Sequence, residues 1–301
     1  MLKSIFIPAW MLTLCVLMGW SLWTQFQHQS LSLFWSGLLL LAAIGPGMIV
    51  SLFVARTART SRNLLAWNLL ALAGFSLGIL GWRIELPGQR FPIGLLTMAA
   101  LGWLAYVFWY SRLQKPRQTP LQLGEPLPLL ELQNLQGQTV LSQSWLGQAV
   151  LILFFRGNWC PLCMAQIREI AKLYRQLTEQ GVRIILISPQ SESHSQALAQ
   201  KFDAPLEFLT DPEGKMAQKL GVFHPWALPA GMQVLGYEKD SVLPTLVITD
   251  AQGSVRFVEI ADNYRLRPEP QVFLQVLAKL GLARDQRLDE KNEDEEIRFV
   301  S

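Results

Sequence analysis

Charge is scarce in this 301-residue chain: 16% of its residues are Asp, Glu, Lys or Arg, while half are hydrophobic. That composition excludes a disordered chain and argues against an ordinary soluble enzyme. Cysteine and histidine are scarcer still, with three of each. A structural zinc site takes four ligands in closely spaced pairs, yet only Cys160 and Cys163 are paired, and His194 and His224 stand alone. No basic run is interleaved with aromatics in the C-terminal part, so the usual footprint of a nucleic-acid binder is missing. No metal, no cofactor and no nucleic-acid partner are therefore expected. One absence is local: between Ser4 and Ala55 there is no Asp, Glu, Lys or Arg.

That gap divides the chain. Residues 1–110 carry six Lys/Arg, one acid and eight of the eleven Trp, whereas residues 111–301 carry twenty Lys/Arg and twenty-two acids. A helix needs about 20 apolar residues to cross a hydrocarbon core. The pattern predicts an all-α transmembrane bundle with spans at about 5–23, 31–55, 64–82 and 91–110, the first two joined by the polar turn 24–30. Trp10, Trp20, Trp23, Trp35, Trp82, Trp103, Trp109 and Tyr110 near the span ends suit an interfacial belt, and lipid is the expected surrounding. The first run is long and lacks a small-residue cleavage site before Gln25, which reads as a span rather than a signal peptide. Placing both termini in the cytosol puts seven basic loop residues inside and Arg83 and Arg90 outside, favouring a cytoplasmic C-terminal domain over a periplasmic one. Gly45-Pro46-Gly47 reads as a kink rather than a transporter-like broken helix, since no charge lies at membrane depth. Cys15 reads as a small apolar core residue.

A Pro-punctuated linker (111–123) leads to a second domain over 124–283, followed by an acidic tail (284–301) expected to be disordered. Leu127–Leu132 and Thr139–Leu141 flank a hairpin-like Gln136-Gly137 turn. Ala149–Phe155 and Val182–Ser188 read as buried strands, with a helix opening at Cys160 and ending at Gly181 between them. Helices near 193–202 and 214–220, a strand pair at Thr245–Thr249 and Val255–Ile260, and a closing helix at Gln271–Leu280 complete an α/β domain with one mixed sheet.

The chemistry falls at the strand-to-helix turn. Cys160 and Cys163 lie on one side of a first helical turn, close enough to form a redox-active disulfide, and Pro161 takes the first helical position. At the N-cap Cys160 meets free backbone N–H groups and the positive end of the helix dipole, which favours its thiolate and makes it the expected nucleophile. Cys163, one turn in, is the expected resolving thiol. A pair of ordinary core cysteines is the competing reading.

Several motifs in order resemble the peroxiredoxin-like branch of the alkyl hydroperoxide reductase/thiol-specific antioxidant family, within the thioredoxin fold. They are the run Phe154-Phe155-Arg156-Gly157-Asn158-Trp159-Cys160-Pro161-Leu162-Cys163, then Ile187-Ser188-Pro189-Gln190, Leu209-Thr210-Asp211-Pro212, the 243–250 segment and the 262–270 segment. The resemblance runs from about Gly124 to Leu280. It implies a cis-proline loop at Pro244 facing the cysteines. It also implies a second register: typical members carry Thr or Ser three residues before the peroxidatic Cys, so Cys160 takes that position and Cys163 the peroxidatic one. Arg156 stands where the loop proline would be, and Leu243 and Pro244 occupy the place of the peroxide-polarising Arg.

Three functions are thus expected in competition. The first is a membrane-anchored thiol–disulfide oxidoreductase with Cys160 as nucleophile, regenerated by a thioredoxin-type protein or a small thiol. The second is a peroxide reductase with Cys163 peroxidatic and Cys160 resolving. The third is a non-enzymatic redox sensor or membrane scaffold. Arg156 either stabilises a thiolate or pairs with Glu169, and Trp159 either shields the thiolate or packs the loop. His224 reads as a surface or capping residue, and Tyr264, Arg265 and Arg267 read as a fold-closing element.

Overall fold

The computed structural model describes residues 1–281 except Asp203 and Pro205, so the acidic tail expected at 284–301 lies outside the described residues. The chain forms two compact units. One holds Met1–Leu113 with Trp226–Lys239 and Asn263–Leu266; the other holds Gln114–Pro225, Asp240–Asp262 and the chain from Arg267.

The first unit is built on four helices, α1 (Leu2–His28), α2 (Leu33–Ala55), α3 (Leu65–Glu85) and α4 (Arg90–Ala105), the last prolonged by a π-turn at Tyr106–Tyr110. All four are long and apolar enough to cross a membrane. α1 runs through most of the expected polar turn because its polar side chains fold back on the helix: the Thr24 hydroxyl donates to Trp20 O at 3.0 Å, and Gln25 Nε2 to Ser21 O at 3.2 Å. Glu85, the one acid in this region, caps α2. Its carboxylate accepts from the N–H groups of Leu33 at 2.7 Å and Phe34 at 3.3 Å, donors that no helical carbonyl reaches. α2 continues through Gly45-Pro46-Gly47 without a break. α2 and α3 approach closely: a Cβ on Gly81 would stand 2.1 Å from Phe34 N, and one on Gly37 would stand 2.3 Å from Gly78 N. Cys15 is exposed on the outside of α1, correcting the core assignment; Leu14 and Leu17 take the buried face.

The second unit centres on a seven-stranded sheet ordered β2-β1-β5-β4-β3-β8-β9. Its strands are β1 (Glu131–Gln133), β2 (Thr139–Leu141), β3 (Ala149–Phe154), β4 (Val182–Ser188), β5 (Glu207–Thr210), β8 (Thr245–Thr249) and β9 (Val255–Ile260). The helices are α5 (Pro161–Glu179), α6 (Glu192–Ala199), α7 (Lys215–Lys219) and α8 (Pro270–Lys279). β3 is parallel to β4 and β4 to β5, through the crossovers α5 and α6, while β8 and β9 add antiparallel strands on the other side. Every residue of β3 is buried, as an unbroken apolar run at the centre of a covered sheet requires. Ahead of β8 lies a two-stranded ribbon, β6 (Phe223–His224) with β7 (Ser241–Val242), in which half-buried His224 pairs with Ser241.

Candidate active site

β3 ends at Phe154 and α5 begins at Pro161, so the six-residue connecting loop lies at the carboxyl edge of the parallel strands, where α/β folds place their sites. Three contacts fix that loop. Phe155 N–H donates to Ile187 O at 2.9 Å, and the Ser241 hydroxyl donates to Arg156 O at 2.7 Å. Asn158 N–H donates to Gln190 Oε1 at 2.8 Å, while Gln190 Nε2 donates to the Ser195 hydroxyl at 3.1 Å. The Ser188-Pro189-Gln190 motif is therefore a support for the cysteine loop, a role the sequence did not reveal. Gly157 has φ +142°, and a Cβ there would meet the Trp159 indole nitrogen at 2.6 Å. Its absence lets Trp159 fold across the loop, and the Arg156 guanidinium lies 4.5 Å from the Trp159 ring centroid.

Cys160 is the N-cap of α5, with φ −90° and ψ 110°, and Pro161 follows in the first turn. Cys160 Sγ accepts from Cys163 N–H at 3.4 Å. Both cysteines are free thiols and both are buried, at 2% and 0% exposure. Cys163 Sγ also faces Arg267, whose Nη2 lies 4.0 Å away. Arg267 comes from the turn between β9 and α8, far from the cysteines in sequence. It takes up the part of a cation beside the sulfur that sequence reading had given to Arg156 alone. Nothing in its local pattern marked it out; only the fold-level order of the 262–270 segment carried a signal.

These neighbours decide where the charge sits. Burial pushes the Cys163 thiol up, but the hydrogen bond from Cys160, the Arg267 charge, the Arg156 backbone N–H and the Arg156 charge together bring it down to about 6. Cys160 is pushed up by its hydrogen bond to Cys163, by burial and by the charge on Cys163, with Arg156 and Arg267 opposing. These directions run opposite to the expectation of a resting thiolate on Cys160. The hydrogen bond from Cys160 lowers Cys163 most and raises Cys160 most, and the Arg267 and Arg156 charges add to the lowering of Cys163, so the direction is toward thiolate on Cys163.

Pro244 is buried and precedes β8. Because Thr245 pairs with Phe154, the Leu243-Pro244 turn runs beside Phe155 at the head of the cysteine loop. Its peptide bond is trans, as are all those among the described residues, which corrects the cis-proline expectation. Among the described residues no cluster of His, Cys, Asp and Glu suited to a metal ion is present.

A central βαβ unit extended by an antiparallel pair, with a Cys-x-x-Cys at the first turn of the helix after the central strand, defines a redoxin of the thioredoxin fold and an oxidoreductase. Residues 123–258 match the AhpC/TSA family. This match, over a little under half of the chain, supports a thiol redoxin of the thioredoxin fold. It is 26% identical over 125 residues to the peroxiredoxin Bcp of Bacillus subtilis (strain 168), covering 41% of this chain and 78% of the relative. It is 25% identical over 171 residues to the thiol-disulfide oxidoreductase ResA of Geobacillus thermodenitrificans (strain NG80-2), covering 56% of this chain and 83% of the relative. Among solved structures, the peroxidoxin BcpB from Mycobacterium tuberculosis aligns at 17% identity with a TM-score of 0.44, over 55% of this chain and 99% of that chain. Assignment as an oxidoreductase sets aside the non-enzymatic reading.

Proposed function

We propose that the protein is a membrane-anchored thiol–disulfide oxidoreductase working through the Cys160–Cys163 dithiol. The observation that carries this reading is the contact of the two cysteines within the first turn of α5, Cys160 at its N-cap and Cys163 one turn in. Cys160, at the mouth of α5, passes its proton to the Cys163 thiolate and attacks a substrate disulfide as the thiolate, and the first leaving thiolate takes that proton from Cys163. Cys163, ionised again, then attacks Cys160 Sγ and expels the second thiolate. One disulfide is reduced as one forms, with charge and protons conserved, and an external dithiol reverses the change. The test is trapping. Cys163→Ser should accumulate a mixed disulfide on Cys160, and Cys160→Ser should accumulate none; a Cys163→Ser variant that captures nothing while the wild type turns over refutes the assignment.

A second reading rests on the two guanidinium groups that stabilise Cys163. A buried thiolate flanked by cations suits attack on a small peroxide, with Cys163 oxidised to the sulfenic acid and Cys160 condensing with it to release water. Peroxide consumption that survives Cys160→Ser with added thiol, and stops with Cys163→Ser, selects it. The anchoring reading rests on the four apolar helices, and the loop charges support a bacterial inner membrane with the redox domain in the cytoplasm. A reporter fused after Ser301 and active on one side alone tests that orientation.

A further inference from the structure

We propose that the segment Trp226–Lys239 is a membrane-interface loop, whose apolar turn at Met232–Leu235 sits in lipid at the end of the bundle where α1 begins. The proposal rests on the reading of the four apolar helices as membrane spans and adds to it a second kind of lipid contact.

The composition of the segment differs from that of its surroundings. From Pro225 to Tyr237 there is no Asp, Glu, Lys or Arg, in the half of the chain that carries most of the charge. Its tip is a single 3-10 turn, Met232–Leu235, bracketed by Gly231 at φ +96° and Gly236 at φ +80°. Val234 is 87% exposed and Leu235 62%. The polar groups of the turn are met from within. Gln233 Oε1 accepts from Gly231 N–H at 2.9 Å, Met232 N–H donates to Pro229 O at 3.2 Å, and Gly236 N–H donates to Gln233 O at 2.9 Å. A turn that enters hydrocarbon needs such internal partners, because no water is there to supply them. At the base, Leu228 N–H donates to Lys239 O at 3.1 Å and closes the loop. The Lys239 ammonium lies 4.7 Å from the ring centroid of exposed Trp226. An indole and a lysine behind an apolar tip are side chains that settle at headgroup level.

The occupant is lipid because the segment is fixed to a span. Ala230 N–H donates to Ser4 O at 2.8 Å, and the Ser4 hydroxyl donates to Leu228 O at 2.5 Å. Ser4 lies in the first turn of α1 beside Leu2 and Ile5, whose apolar side chains are exposed on the outside of the helix. Loop and span belong to one compact unit. At the same end of the bundle, Lys3 donates to Arg112 O and stands 5.6 Å from the Trp109 ring centroid. The start of α1 and the end of the fourth span thus carry the aromatic and basic residues of an interface. The exposed turn continues the outward apolar surface of α1 at the depth where that surface meets the headgroups.

The experiment places the photoreactive residue p-benzoylphenylalanine at position 234 in the full chain, reconstituted in vesicles of phosphatidylethanolamine and phosphatidylglycerol, and follows the products of irradiation by mass spectrometry. The same residue at position 12, where Leu12 is exposed within α1, reports on the span. Position 234 should give a phospholipid adduct in about the same yield as position 12. A lipid adduct at position 12 with none at position 234 overturns the loop and leaves the spans standing. A position-234 product joined to a second copy of the chain, in place of lipid, also overturns it and assigns the turn to an oligomer interface. If neither position yields a lipid adduct, the membrane reading fails and the loop falls with it.

Discussion

Replacing Arg267 by Gln isolates the electrostatic core of the site. The guanidinium stands 4.0 Å from Cys163 Sγ, and both side chains are buried. At that distance two unit charges interact by about 4 kcal/mol at an effective permittivity of about 20. One pKa unit corresponds to about 1.4 kcal/mol, so about 3 units is the ceiling. With Arg156 left in place, a rise of about 2 units is expected, from about 6 to about 8. The thiolate fraction at pH 7 then falls from about nine-tenths to just under one-tenth, so thiolate-dependent alkylation of Cys163 slows about tenfold at pH 7 and recovers by about pH 9. The same loss of thiolate stabilisation makes the disulfide harder to reduce, by about 30 mV at pH 7 and about 60 mV above pH 9. Alkylation rates across pH and equilibration with a glutathione buffer read both quantities. An unchanged midpoint with an unchanged potential would refute the assignment of the charge to Cys163.

Three further substitutions test the scaffold. Gly157→Ala places a Cβ 2.6 Å from the Trp159 indole nitrogen at φ +142°, and thermal unfolding should show a loss of about 1–3 kcal/mol; wild-type stability would contradict the loop geometry. Gly81→Val drives a side chain into Phe34 N at 2.1 Å and should unseat α3 from α2, whereas Gly94→Ala meets nothing within 4 Å and should be silent in the same detergent melt. Asp250 is pushed up by burial, but N–H donors from Ser254 and Gln252 and the Arg256 charge hold its carboxyl below the usual range. A lowered carboxyl contributes stability that is present above its unfolded pKa and fades as pH falls through the folded one. Asp250→Asn should therefore cost about 1 kcal/mol at pH 7 and little below about pH 3, and an equal deficit at both would show that the charge is irrelevant.

Much of the framework was legible because it rests on local, strongly periodic signals. The charge-free stretch gave the first two helices, and the unbroken apolar run at 149–155 gave the central strand. Cys-Pro-Leu-Cys gave the helix start to the residue, since an N-cap with Pro behind it has few other uses. β5 was missed as a strand because only four residues of it pair, and its neighbours supply the order that the sequence lacks. Glu85 looked like a loop charge, because a cap that reaches another helix leaves no spacing to read. Arg267 escaped for a related reason. Its partner is 104 positions away, and the pairing exists only once β9 has returned the chain to the mouth of α5.

The arrangement of charge also explains why position at a helix start did not predict the thiolate. A helix dipole contributes about half a unit charge spread over several N–H groups, and Cys160 receives one of them at 3.4 Å. Full charges in a buried site act more strongly on the sulfur they face, and here that sulfur is Cys163. The consequence is a division of labour within one turn of helix. An outer thiol that keeps its proton is spared oxidation until a substrate sulfur approaches, and an inner thiol with a pKa of about 6 is mostly ionised at pH 7, so few mixed disulfides wait for a deprotonation. Resolution should then be faster than attack, so the wild type ought to show no covalent intermediate at neutral pH, and Arg267→Gln ought to reveal one in a quenched-flow trace that fades as pH rises toward 9. An intermediate in the wild type at pH 7 would mean that Cys163 waits for its proton to leave, and the division of labour would be wrong.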